Sequence, residues 1–319
     1  MRTMMAKYRN QLPQLNDFFV SDGGLETTLV FHQGLKLPDF AAFDLLKDER
    51  GKETLREYFR SYIAIAKAFK KGFVLESPTW RANADWGTKQ GHSEVKLADI
   101  NRDAITLLEE LRDELESDTT KMVISGWIGP RGDGYVPGVG MSADEAESYH
   151  RTQIQIFRDT AADLVAAATM NYVDEAIGIS RAAKSENMPV VISFTVETDG
   201  RLPTGQSLRE AIESVDKATD KAPAYYMINC AHPTHFTDVL QGDGDWLERI
   251  GGIRANSSVR SHAELNESAT LDEGNPVEFG QQHKELLRRL KNLRVLGGCC
   301  GTDQRHVEEI CKSCFVPTN

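Results

Sequence analysis

Cys230, in Asn229-Cys230-Ala231-His232-Pro233, and the adjacent Cys299 and Cys300, in Gly297-Gly298-Cys299-Cys300-Gly301-Thr302, are the side chains best suited to do chemistry in this sequence. Three thiolates can hold one zinc ion and leave its fourth position open, which is the arrangement of a catalytic rather than a structural zinc site. Neighbouring residues on a regular strand point to opposite faces, so two adjacent cysteines share a metal only where the backbone turns sharply. The flanking glycines permit that turn. Two other readings stand beside this one. Cys230 can be a small buried apolar side chain. Alternatively Cys311 and Cys314, a C-x-x-C pair, can join Cys299 and Cys300 in a closed structural site.

These residues need a scaffold that brings distant segments together. Short runs rich in Val, Ile and Phe alternate with helical periodicity in eight successive pairs. Strands are predicted at 18–22, 72–76, 122–126, 163–167, 190–194, 226–229, 253–256 and 295–298. Helices are predicted over 101–116, 143–160, 172–186, 278–290 and 303–312, several of them opened by capping residues such as Ser142 and Ser207. Eight uninterrupted β-α units predict an α/β protein of the (β/α)8 barrel type, a single domain over 17–319 preceded by an N-terminal extension, 1–16. Barrels of this type carry their chemistry at the C-terminal ends of the strands. Asp22, Glu76, Thr79, Thr169, Glu197, Cys230, Asn256, Cys299 and Cys300 all fall there.

With 37 Lys plus Arg against 48 Asp plus Glu, the formal net charge of -11 and the lack of a long basic block disfavour nucleic acid or an anionic membrane as a partner. No segment approaches the roughly 18 apolar residues of a membrane span, and no apolar signal region follows Arg2, Lys7 and Arg9. The expectation is a cytoplasmic protein acting on small molecules. Five cysteines, an odd number, suit reduced thiols used for metal or chemistry rather than a disulfide framework.

Asp22-Gly23-Gly24, Asn229-Cys230 and the Gly-Gly-Cys-Cys-Gly segment at 297–301, in this order, resemble the homocysteine S-methyltransferase family over about residues 17–313. The resemblance implies that Cys230, Cys299 and Cys300 bind zinc and that Asp22 lies near the substrate. It implies no catalytic residue beyond the zinc site. The implied reaction moves a methyl group from an onium donor to the thiolate of homocysteine, giving methionine. With only 19 residues after Cys300 and no cobalamin or folate module, S-methylmethionine or S-adenosylmethionine is the expected donor. Trp80, Trp86, Trp127 and Tyr135 could offer aromatic faces to such a cation or simply pack. Substrate contacts are expected from Asp22, Gly23, Gly24, Glu76, Thr79, Thr169, Glu197 and Asn229.

One position departs from the family. Ala168 stands where a glutamate just after strand 4 would meet the substrate ammonium. Glu76 or Glu197 could supply that carboxylate, or Glu76 could pair with Arg81 and the substrate could lack an amino group there. A different thiol or selenol acceptor, or a zinc-binding homologue without catalysis, therefore stands as the alternative. A zinc hydrolase is disfavoured, because hydrolytic sites more often use His and carboxylate ligands. The glycine-rich stretch 126–140 lacks phosphate-loop spacing and reads as a loop over the site. Oligomeric state is not encoded in any feature of the sequence.

Overall fold

All eight apolar runs form parallel strands that pair in chain order and close on themselves, β1 against β8, as a (β/α)8 barrel. The computed structural model describes residues 6–316. The strands are β1 Phe19–Val20, β2 Gly72–Glu76, β3 Met122–Ile128, β4 Leu164–Met170, β5 Val190–Phe194, β6 Pro223–Asn229, β7 Ile250–Ala255 and β8 Val295–Gly298. The helices that follow them in turn are α1 Glu49–Ala68, α2 Glu94–Leu115, α3 Ala143–Arg158, α4 Val173–Ser185, α5 Leu208–Thr219, α6 Pro233–Phe236, α7 Pro276–Arg289 and α8 Gln304–Phe315.

Alternation along the strands sorts the core into two layers. Val74, Val123, Leu164, Ala166, Val191, Tyr225, Met227 and Val295 fill the barrel interior, while Phe73, Leu75, Ile124, Val165 and Ile192 face the helices. Ser142 with Glu145, and Ser207 with Glu210, form full capping boxes on α3 and α5. The sixth pair is unequal to the others. Its helix has four residues and is followed by a 3-10 turn, Asp245–Arg249, because Gly242 and Gly244 adopt φ of 103° and 153° that continue no helix.

Part of the expected extension, residues 1–5, lies outside the described residues. From residue 6 onward the segment builds the barrel floor. Leu12 joins the interior cluster, and the Arg9 guanidinium donates to the carbonyls of Arg158, Thr160 and Ala162. The Tyr8 N–H donates to Asp163 Oδ1 at 2.6 Å, and Asp163 Oδ2 accepts from Arg112 and from the Ile124 N–H. Burial raises the Asp163 pKa, and the Arg112 charge opposes the shift.

β4 runs three residues beyond its predicted end. An irregularity between Ala167 and Met170 puts Thr169 at φ 60°, a conformation a β-branched residue rarely adopts. Asn229 at the end of β6 holds it there. The Asn229 side chain accepts from the Thr169 N–H and donates to Thr169 Oγ1, both at 2.9 Å, and accepts from Ser193 Oγ at 2.7 Å. One amide thus ties the ends of β4, β5 and β6.

Candidate active site and metal centre

Cys230 leaves β6 at φ 53°, and this turn is held from two sides. Its N–H donates to the Arg254 carbonyl at 3.1 Å, and its own carbonyl accepts from Asn256 Nδ2 at 3.1 Å and lies 2.6 Å from His262 Nε2. Cys299 and Cys300 leave β8 in a tight turn, closed by the Thr302 N–H on the Cys299 carbonyl at 3.1 Å. Gly301 takes φ 79°, as the third position of a type II turn requires. A side chain at Gly298 would meet Thr302 Oγ1 at 2.0 Å. The sequence therefore has glycine where the two cysteines must be presented side by side.

The three sulfur atoms lie within 4.8 Å of one another. Cys230 Sγ is 3.9 Å from Cys300 Sγ, close to the separation of about 3.8 Å that tetrahedral zinc with bonds of about 2.3 Å imposes. Cys230 and Cys299 are joined as a disulfide with Cα atoms 5.4 Å apart, in contrast to the all-thiol state expected from the odd cysteine count. The donor set fits a thiophilic metal once that bond is reduced. Cys311 is buried and Cys314 half-buried on α8, and neither joins the cluster. His232 instead caps α6, its Nδ1 accepting from the Thr234 N–H.

Arg254, in β7, was not anticipated from the sequence and organises the charges of the site. Its Nη2 donates to Asp22 Oδ1 at 2.7 Å and to the Gly23 carbonyl at 3.1 Å, its Nε donates to the Gly298 carbonyl at 3.0 Å, and its Nη1 pairs with Glu76. Glu76 is therefore the partner of Arg254, not of Arg81. Burial raises the Asp22 pKa and Arg254 opposes it. The lone arginine within the apolar run Ile-Gly-Gly-Ile-Arg-Ala was the available signal, since a buried guanidinium needs carboxylate partners.

A cavity of about 480 Å³ opens above the sulfurs at the C-terminal ends of the strands. Asp22, Gly23, Gly24, Glu76, Thr169 and Asn229 line it, as do all three cysteines. Thr79 and Glu197 do not. Thr79 is fully buried and its hydroxyl donates to the Trp127 carbonyl at 2.7 Å, while Glu197 Oε1 lies 3.2 Å from His262 Nδ1. Ala168 is buried and outside the lining. Tyr135 reaches in from the glycine-rich loop, stacks on His262 with ring centroids 4.2 Å apart, and places its hydroxyl 3.8 Å from Cys300 Sγ. Trp80 and Trp86 already face a cation of the protein itself: the Arg81 guanidinium lies 4.3 Å and 3.7 Å from their ring centroids.

Glu26, one residue past Asp22-Gly23-Gly24-Leu25, also lines the cavity. Burial, reinforced by the Asp22 charge, pushes its pKa up to about 7. Burial and the Glu26 charge together push the Cys300 thiol up to about 11.

Comparison with known proteins agrees with this architecture. The family model described as Homocysteine S-methyltransferase matches residues 19–314. Homocysteine S-methyltransferase 1 of Brassica oleracea var. italica is 22% identical over 313 residues, covering 91% of each chain. Homocysteine S-methyltransferase YbgG of Bacillus subtilis (strain 168) is 24% identical over 236 residues, covering 69% of this chain and 72% of that one. Among solved structures, the oxidized form of the homocysteine methyltransferase MmuM from Escherichia coli superposes with a TM-score of 0.73 at 18% identity, covering 95% of this chain and 97% of that one. At that identity the superposition establishes the shared fold.

Proposed function

The chain belongs to the homocysteine S-methyltransferase family, and we propose that it transfers a methyl group from an onium donor, S-methylmethionine or S-adenosylmethionine, to the thiol of homocysteine, giving methionine. The observation that carries this reading is the convergence of three cysteine sulfurs from two strand ends on one cavity at the barrel mouth. Cys230, Cys299 and Cys300, with the Cys230–Cys299 bond reduced, would hold zinc. When bound, zinc would lower the pKa of an acceptor thiol so that it is a nucleophile at neutral pH.

The chain's own residues do the rest. The acceptor sulfur forms the new bond to the methyl carbon as the bond from that carbon to the donor's cationic sulfur breaks. The bonding pair goes to the donor sulfur, which leaves as a neutral thioether, and the acceptor's thiol proton passes to solvent. Asp22, Gly23, Gly24, Glu76, Thr169 and Asn229 form the acceptor wall. Thr79 and Glu197 are positioning residues, one behind Trp127 and the other behind His262. By pairing with both Asp22 and Glu76, Arg254 keeps the wall from presenting two unbalanced buried charges. Tyr135 closes the cavity beside Cys300 and limits water at the reacting atoms.

Reduced, zinc-loaded protein given homocysteine and either donor should form methionine, read by mass spectrometry, and chelation should abolish it. A second reading, transfer to a different thiol or selenol, is favoured by Ala168, which offers no carboxylate at the end of β4. Methylation of another acceptor with none of homocysteine would select it. Methylation of no acceptor would leave a zinc-binding homologue without catalysis.

A further inference from the structure

Six carboxylates line the cavity, namely Asp22, Glu26, Asp39, Glu76, Asp133 and Asp272. Five of them face a cation. Asp22 and Glu76 share Arg254, Asp39 accepts from Lys89 at 2.6 Å, Asp133 lies 3.9 Å from Arg81, and Asp272 lies 3.7 Å from Arg260. Among the described residues Glu26 alone of the six has no cation within ion-pair distance and no side-chain donor within hydrogen-bonding distance, and Arg254 and Arg81 act on it only from farther away. It is half-buried in the short helix Leu25–Thr27, directly after the turn that carries Asp22. A carboxylate without a direct partner in such a place is costly, and a ligand that brings a cation to it relieves that cost.

We propose that Glu26 is the anchor for the acceptor's α-ammonium group, supplying from the β1 end the carboxylate that Ala168 does not supply from the β4 end. The inference rests on the acceptor being a thiol held at the cysteine cluster, as proposed above. Position supports the assignment: the Gly301 N–H donates to Thr27 Oγ1 at 3.1 Å, so the short helix that carries Glu26 abuts the turn that presents Cys299 and Cys300, and all three residues line the same cavity. In homocysteine three carbon atoms separate sulfur from nitrogen, so a thiol seated at the sulfurs projects its ammonium onto the adjoining wall. The two glutamates favoured by the sequence are both engaged, Glu76 with Arg254 and Glu197 with His262. Glu26 is thus a specificity-determining residue, selecting amino-acid thiols over simple mercapto acids.

The test is calorimetric binding to reduced, zinc-loaded protein, using homocysteine and 4-mercaptobutanoate, which is homocysteine without its amino group. A charge-assisted hydrogen bond corresponds to roughly tenfold to a hundredfold in affinity. The unsubstituted protein should bind homocysteine at least about tenfold more tightly than the des-amino thiol, and Glu26→Gln should abolish that preference by weakening homocysteine alone. Equal affinity for the two thiols in the unsubstituted protein, failure to bind either, a preference that survives Glu26→Gln, or equal weakening of both thiols overturns the proposal. Methyl transfer is scored separately. Methylation without an ammonium preference removes the role of Glu26 and leaves the proposed reaction standing, whereas ammonium-dependent binding without methylation does the reverse.

Discussion

Arg254 Nη2 lies 2.7 Å from Asp22 Oδ1, joining residues 232 positions apart in the chain, and both side chains are buried. The guanidinium also serves Glu76, so one cation balances two carboxylates on the cavity wall. Replacing Arg254 with Met strands both. The expected loss is about 3–5 kcal/mol of unfolding free energy, measured by urea denaturation. A loss below about 1 kcal/mol would show that the two acids are neutral in the folded protein and need no cation.

Reduced protein dialysed against zinc and then against a mild chelator should retain one zinc per chain by elemental analysis. Cys230→Ser, Cys299→Ser and Cys300→Ser should each lose it, while Cys311→Ser and Cys314→Ser should keep it. Zinc retained in Cys230→Ser but lost in Cys311→Ser would instead place the metal in a closed site built on α8 and the paired cysteines.

Gly301 presents Cys300 through a turn at φ 79°, where an added Cβ would meet Ser257 Oγ at 2.1 Å. Gly301→Ala should cost about 1–3 kcal/mol and weaken zinc retention along with it. Gly132, in the loop between β3 and α3, has no heavy atom within 4 Å of its would-be Cβ. Gly132→Ala should change neither quantity, so equal effects of the two substitutions would count against the turn.

His283 on α7 is fully buried, with Nδ1 on the Phe279 carbonyl at 2.8 Å and its ring against Phe279 at 4.4 Å. Burial pushes its pKa down from 6.5 to about 4. Between those values the unfolded chain binds the proton and the folded one does not, so stability falls as pH drops through this window. From pH 7 to pH 5 this residue should contribute a loss of about 2 kcal/mol. That part of the acid sensitivity should vanish in His283→Gln, read as the difference between urea titrations of the two proteins at each pH. Equal pH dependence in both would show that His283 is charged in the folded state.

The barrel and the sulfur cluster were legible because both are written in local pattern. Short continuous apolar runs mark strands buried on both faces, and Gly-Gly-Cys-Cys-Gly can present two thiols together only at a turn. The charge network was not, because its pairing is decided by packing across the mouth: Glu76 has Arg81 close in sequence, yet the side chain that reaches it comes from β7. Glu26 escaped notice for a related reason, since nothing in Gly-Leu-Glu-Thr shows that each of the other cavity acids has a cation beside it and this one does not. The floor segment around Leu12 carries no periodicity, and its place follows from where Arg9 finds carbonyls to bond.

Leu12 and the interior layer fill the floor of the barrel, and the cavity over the sulfurs lies at the opposite end, where the strands finish. Where two substrates enter such a chamber from the strand-end side, the one that sits deeper must arrive first and depart last. An acceptor thiol seated on the cysteines, as proposed, would be that deeper substrate, so the expected kinetics are ordered, acceptor before donor, with excess donor inhibiting the reaction.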